Sequence, residues 1–321
     1  MTKNSQKTGT NLGAENDSVQ SYIQPLAKPT AEHYIDAAQS QATKRGYATD
    51  VRQFIKMGGS IPATPEQIMQ YLAEVATTLA VATIQRRLIA IHKAHIDLEL
   101  PSPVNHPQVK RTMQGIRRTV GTRQRQVKAL VKDDLLEMLV MVDQQKPMKA
   151  ARDKALLLIG FAGAFRRREL VALRCEDLTV HPNGTEILLR HSKTDQEKAG
   201  RTVFIPYANG ERCPVKALAQ WRAVAGIDAG WLFRSVNRHD QVSDAPLTGQ
   251  SVALIVKAAA RRVGADPNAV SGHSLRAGYC TQAAIAGLQP YQIREQTGHK
   301  SDATLARYIR PVAKRKIPSL L

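Results

Sequence analysis

The chain is short of acidic residues and of cysteine, and it has no long apolar run. Its 321 residues hold 27 Asp and Glu against 46 Lys and Arg, a formal net charge of +19. An excess that large repels itself and costs stability unless a polyanion offsets it. No stretch of 18 apolar residues occurs, which excludes a helical membrane span. Met1–Thr30 is polar and lacks an apolar core, so it does not read as a secretory signal. The three cysteines, Cys175, Cys213 and Cys280, are odd in number and far apart. That argues against a disulfide framework and against a CxxC zinc site. No internal repeat of about 20–50 residues is visible.

What is present fits an ordinary globular chain, with 43% hydrophobic and 23% charged residues. The length suggests about two domains, at roughly 100–200 residues each. The expectation is a soluble, cytoplasmic protein with no membrane partner. Nucleic acid is the first candidate for the anion it meets.

Residues 1–30 show no period and read as a loose arm. Helical spacing begins at Ala31, with Val51, Phe54 and Ile55 assigned to one face. Thr64-Pro65-Glu66-Gln67 has the form of a helix start, with Thr64 as N-cap and Gln67 closing a capping box. A third helix is predicted from about Ala82 and a fourth around Val109–Val120. Residues 31–120 therefore read as an all-helical bundle. His92 and His95 are too few for a metal site and are expected at the edge of that bundle. Pro101–Leu130 carries Lys110, Arg111, Arg117, Arg118, Arg123, Arg125 and Lys128 and no acid. It reads as a basic segment lying on phosphates, with residues 121–130 as the linker. Arg45 joins these candidate DNA contacts.

A second unit, 131–321, opens with a helix from Lys132, followed by another over about 150–161. Glu169–Leu173 looks like the middle of a third helix. Glu186–Arg190 and Thr202–Ile205 read as strands flanking the loop Ser192–Gly200. Further helices are expected near Pro214–Ala225, Ser251–Val263, Ser274–Ala286 and Pro290–Thr297. The predicted class is mainly α with a small antiparallel β-sheet, in two domains.

Four local clusters could carry chemistry. Arg166, Arg167 and Arg168 lie together before Glu169-Leu170, and on a helix they point about 100° apart. His273 and Arg276 are spaced i, i+3, which puts an imidazole beside a fixed cation, a pairing suited to a phosphate oxygen. Gly298-His299 stands nine residues before Tyr308, and a tyrosine can attack phosphorus. Lys193 lies on the hairpin loop. Each cluster alone also fits a surface pair or a core tyrosine.

Their order and spacing are more specific. Ala164-Phe165-Arg166-Arg167-Arg168-Glu169-Leu170 follows a GLR-x-x-EL box, with Ala for Gly and Phe for Leu. His273-Ser274-Leu275-Arg276 follows an HxLR box, and Gly298-His299 with Tyr308 follows a GH box and its tyrosine. Over about Val131–Tyr308 the chain resembles the tyrosine recombinase (phage integrase) family. The bundle at 31–120 is similar to that family's core-binding, SAM-like domain. The resemblance implies a mixed α+β catalytic domain with catalytic Arg166, Lys193, His273, Arg276, His299 and Tyr308. Lys198 competes with Lys193 on the same loop, and Ala277 stands where a second His is common in the family.

The implied reaction is site-specific recombination. Tyr308 would attack a DNA phosphodiester, form a 3′-phosphotyrosine and exchange strands between two duplexes through a Holliday junction. Arg166, Arg276 and His299 would hold the phosphate, His273 would be the base and Lys193 the acid. No metal or other cofactor is expected. Glu169 and Asp177 read as structural partners orienting Arg166 and its helix. The implied partners are double-stranded recombination sites, three further copies in a homo-tetramer, and accessory DNA-bending or directionality proteins. The tail after Tyr308 would dock on a neighbouring copy. Rival readings are a type IB topoisomerase-like relaxing enzyme and a non-catalytic helix-turn-helix regulator built on 283–298.

Overall fold

The computed structural model describes residues 1–2, 30–122, 126–190 and 200–315, with side chains through 309. The fold is mostly helical with small antiparallel sheets, as the sequence predicts. Contacts divide the chain into two compact units, 1–124 and 125–321.

The first unit holds α1 (Ala31–Ala37), α2 (Gln41–Lys56), α3 (Pro65–Ala76), α4 (Val81–Ile96) and α5 (Pro107–Val120). α3 starts as its sequence requires. Thr64 Oγ1 accepts from the Gln67 amide at 3.3 Å, and Gln67 Oε1 accepts from the Thr64 amide at 2.9 Å. Phe54, Ile68, Leu72, Ile84, Ile91 and Val109 are closed off from water and form the core. Burying each such side chain contributes about 1.5–3 kcal/mol. Ile55, assigned to the same face as Phe54, is instead 50% exposed, because one helical step turns it about 100° away. His95 is not at the bundle edge but fully buried. Its Nδ1 lies 2.8 Å from the Ile91 carbonyl and its Nε2 accepts from the Ala63 amide at 2.9 Å. It serves as an internal polar tie.

Asp50 is also buried here. Arg86 donates to both its carboxylate oxygens at 2.8 Å, and Arg87 Nε lies 3.7 Å away. On α5, Val109, Met113 and Ile116 face inward, while Lys110, Arg111, Arg117 and Arg118 are exposed. Arg45 is exposed on α2. Arg123 and Arg125 lie outside the described residues.

Near the start of the second unit the Lys128 ammonium meets Asp134 at 2.7 Å. The acid-free stretch is thus met by a carboxylate from just beyond it. Then come α6 (Lys132–Val142), α7 (Pro147–Ala162) and α8 (Arg167–Val171). The strands β1 (Leu178–His181), β2 (Gly184–Leu189) and β3 (Arg201–Pro206) form one antiparallel meander. After α9 (Pro214–Ala225), β4 (Arg234–Val236) pairs with β5 (Val242–Pro246). α10 (Gly249–Arg262), α11 (His273–Ile285), α12 (Pro290–Thr297) and α13 (Asp302–Arg315) follow.

The core gathers Leu156, Leu157 and Ile159 of α7 with Phe165, Trp221, Val256 and Leu275. β1, β4, β5 and α13 are absent from the sequence expectation. The three strands are five residues or shorter, too short to show a period, and Pro311 in α13 reads as a stop signal. α8 is shorter than expected, ending at Val171, so that Ala172 and Leu173 lie beyond it.

The entry of the chain is tightly held. The Lys128 amide donates to Ala269 O at 2.7 Å and the Leu130 amide to Ser274 O at 3.1 Å. Leu130 lies so close to α11 that a Cβ on Gly278 would stand 1.7 Å from its carbonyl oxygen. Only glycine leaves room there.

Candidate active site

The α7–α8 turn begins the site. Ala164 is buried with φ +50, a conformation that favours glycine, at the position where the boxed motif has Gly. Its carbonyl accepts from Arg276 Nη1 at 2.8 Å. Arg166 follows, and Glu169 holds it twice. One carboxylate oxygen accepts from the Arg166 amide at 2.9 Å, the other from Nη1 at 2.6 Å. Arg167 and Arg168 are exposed, so the three consecutive arginines do separate in direction.

Arg276 on α11 is 1% exposed. Its Nη2 has no hydrogen-bond partner among the described residues. Burial, and then the charge of Arg166, draw its pKa down to about 10. A guanidinium under that pressure is suited to an arriving anion.

One turn earlier, His273 stands at the exposed start of α11. Its Nε2 lies 2.6 Å from the Tyr308 hydroxyl. Crowding that strips water from the ring, then Arg276, Arg166 and Arg167, lower the His273 pKa. Burial raises that of Tyr308, with Cys280 adding to it. At neutral pH the pair is a phenol facing a neutral imidazole.

His299 is 8% exposed, and its ring centre lies 5.9 Å from that of Tyr308. Burial, and then Arg276, Arg166, His273 and Arg201, bring its pKa to about 3. Its Nδ1 lies 2.7 Å from Thr297 Oγ1. The turn that presents it needs glycine. Gly298 has φ +65, and a Cβ there would meet Arg201 Nε at 2.8 Å.

Arg201, Gln296 and Thr297 are site residues that the sequence reading missed. Arg201 opens β3 and donates to Gln296 O at 3.1 Å and Thr297 O at 3.3 Å, capping the end of α12. Gln296 Nε2 donates to Ala162 O at 3.0 Å and Phe204 O at 3.1 Å. Arg294 reaches His299 O at 3.3 Å and Asp302 at 3.0 Å. The His299 turn is thus bolted to α7, β3 and the start of α13. An arginine at a strand start usually faces water, so spacing gave no signal for Arg201.

Asp177 does not orient Arg166. It accepts from the Arg174 amide at 2.9 Å and pairs with Arg190 at the end of β2. Lys193 and Lys198 lie outside the described residues, between β2 and β3. The hairpin's last described pair, Leu189 with Arg201, ends at the site.

The structure therefore gathers Arg166, His273, Arg276, His299 and Tyr308 from four separate places in the sequence. Among the described residues, Glu169 is the carboxylate that faces these guanidiniums. Positive charge in excess, beside a phenol and a base, is a constellation for attack on a phosphoryl group.

The chain is similar to known proteins. The Phage integrase family matches residues 128–315. An integrase/recombinase XerD homolog of Selenomonas ruminantium is 37% identical over 288 residues, covering 87% of this chain and 84% of that protein. The chain belongs to the phage integrase family. This is a class of enzymes for site-specific DNA recombination. Solved structures share the integrase fold at low identity. The XerH recombinase bound to a palindromic difH substrate, a post-cleavage complex, has a TM-score of 0.61 at 19% identity. That match covers 78% of this chain and 70% of that one. The Tn1549 transposon integrase with transposon right end DNA has a TM-score of 0.61 at 15% identity over 89% and 96% of the two chains. A lambda integrase dimer on a core site has 0.61 at 14% over 90% and 77%. Among the described residues no helix is long and apolar enough to cross a membrane.

Proposed function

We propose that this integrase cleaves and rejoins DNA by transesterification through Tyr308. The observation that carries the reading is the 2.6 Å contact between Tyr308 and His273 Nε2 beside the buried Arg276. His273 takes the phenol proton as the Tyr308 oxygen attacks phosphorus in line. The Tyr308 oxygen–phosphorus bond forms and the bond from phosphorus to the 5′-oxygen breaks. Lys193, or Lys198 on the same loop, returns a proton to the leaving oxygen. The 3′-phosphotyrosine keeps the ester energy, and the 5′-hydroxyl of a second strand reverses the step. Arg166, Arg276 and His299 stabilise the charge that grows on the non-bridging oxygens.

The partner is a pair of duplex recombination sites, joined through a Holliday junction by four copies of the chain. Lys110, Arg111, Arg117 and Arg118, exposed on one helix, hold the duplex through phosphates. Recombinase neighbours solved on DNA support this reading by analogy. The tail beyond Tyr308 docks on the next protomer, accessory DNA-bending proteins assist, and the protein works in the cytoplasm on the nucleoid.

A nicked duplex carrying the crossover site tests the reading, because it traps the covalent complex. Wild-type protein forms a denaturant-resistant adduct. Tyr308→Phe binds with unchanged affinity and forms none. An adduct retained by Tyr308→Phe overturns the assignment.

A further inference from the structure

Thr297 is fully buried at the last position of α12, its carbonyl held by Arg201 and its hydroxyl turned to His299. Its hydroxyl makes two contacts, each at 2.7 Å. It donates to the Ile293 carbonyl, and it meets His299 Nδ1. A hydroxyl has one proton, and a carbonyl can only accept. With that proton given to Ile293, Thr297 has only a lone pair left for the imidazole. His299 Nδ1 must therefore carry the hydrogen, which leaves Nε2 bare in the neutral ring.

We propose that Thr297 is a positioning residue that fixes His299 as the Nδ1–H tautomer, so that Nε2 gives a hydrogen bond to phosphate only in the doubly protonated ring. The proposal takes from the recombinase reading the idea that a phosphate occupies the site. The tautomer itself is independent of it.

The surroundings decide when the second proton arrives. Arg276 and His273 face the ring from α11, Arg166 from the turn before α8, and Arg201 from β3. Tyr308 faces it from α13, and Arg294 of α12 holds its backbone carbonyl. With these cations close and water mostly excluded, the ring is neutral when the site is empty. A phosphodiester brings negative charge into the same space and favours the imidazolium. His299 thus becomes a donor when the substrate is in place. A neutral Nε2–H tautomer would donate all the time and would lack this dependence.

The direct test is the imidazole nitrogen spectrum of the full chain labelled with ¹⁵N-histidine, with the His299 signal assigned by its loss in His299→Gln. Neutral His299 is expected as the Nδ1–H tautomer in wild type and in Thr297→Ser. Thr297→Val, which keeps the shape and removes the hydroxyl, is expected to lose that tautomer. An Nε2–H ring in wild type, or an unchanged ring in Thr297→Val, overturns the proposal. Neither result depends on whether a covalent DNA adduct forms, so failure here is separable from failure of the recombinase reading. The kinetic companion is single-turnover cleavage of the nicked duplex against pH. Thr297→Val is expected to bind as wild type, to cleave roughly tenfold more slowly at neutral pH, and to lose the alkaline fall in rate. Wild-type rate and profile in Thr297→Val would also overturn it. Should Thr297→Val not fold, the wild-type spectrum alone decides.

Discussion

Each unit of this integrase sets arginines around one buried carboxylate, and the two clusters differ in kind. In the first unit Asp50 is the buried centre. Arg86 grips both its oxygens, and Arg87 adds a third contact at 3.7 Å. Both carboxylate oxygens there are engaged within the protein, one negative charge set between two guanidiniums. In the second unit the buried centre is a cation. Glu169 engages Arg166, while Arg276 keeps an unpartnered Nη2 among the described residues. A closed cluster fixes a helix pair. An open one holds charge in reserve for a ligand, and leaving it open lowers stability.

Several substitutions can break or sharpen this contrast. The largest effect is expected of Tyr308→Phe, which should abolish the covalent complex trapped on a nicked duplex. Next, Arg276→Gln is expected to slow cleavage on the order of 10²–10³-fold. Unfolding free energy should change by less than about 1 kcal/mol, because losing one hydrogen bond is offset by relief of a buried charge. A large fall in the denaturant midpoint would make Arg276 a structural residue instead.

The closed cluster should behave the opposite way. Asp50→Ala leaves Arg86 and Arg87 without their carboxylate and is expected to cost about 2 kcal/mol in urea unfolding. The half-exposed Arg86 keeps this below the usual cost of breaking a fully buried pair. The cleavage step of protein that remains folded should be unaffected.

pH gives a smaller and directional effect. His299 binds its proton at about 3 in the fold against 6.5 for the free side chain. Between those values the unfolded chain carries a proton that the folded one lacks. Stability is therefore lost as pH falls below 6.5, by about 1 kcal/mol near pH 5.5 from this ring alone. Thermal midpoints of His299→Gln should fall less steeply with acid than those of wild type. The smallest effect belongs to the exposed α5 surface. Arg117→Ala should weaken DNA binding uniformly and lower the slope of log affinity against log salt by about 1, with the cleavage rate of bound complex unchanged.

Much of this was legible in the sequence where chemistry is local. α9 and α12 begin at Pro214 and Pro290 and end before Gly226 and Gly298, so proline and glycine mark both limits. The site's boxes were legible because each keeps its residues within a few positions. Arg201, Gln296 and Thr297 were not, because their roles depend on contacts between β3, α7 and α12 that no spacing records. Asp177 failed for a related reason. Nearness in sequence to Arg166 suggested a partnership, and the turn into β1 carries Asp177 to Arg190 instead.

The seating of residues 128–130 against α11 has a mechanical side. The chain enters the second unit as a thread hydrogen-bonded at Ala269 and Ser274, next to His273, and wedged over Gly278. Traction on the chain ahead of Lys128 would thus be delivered first to the helix that carries His273 and Arg276. The helix that presents two of the candidate site residues is also the anchor point of residues 128–130.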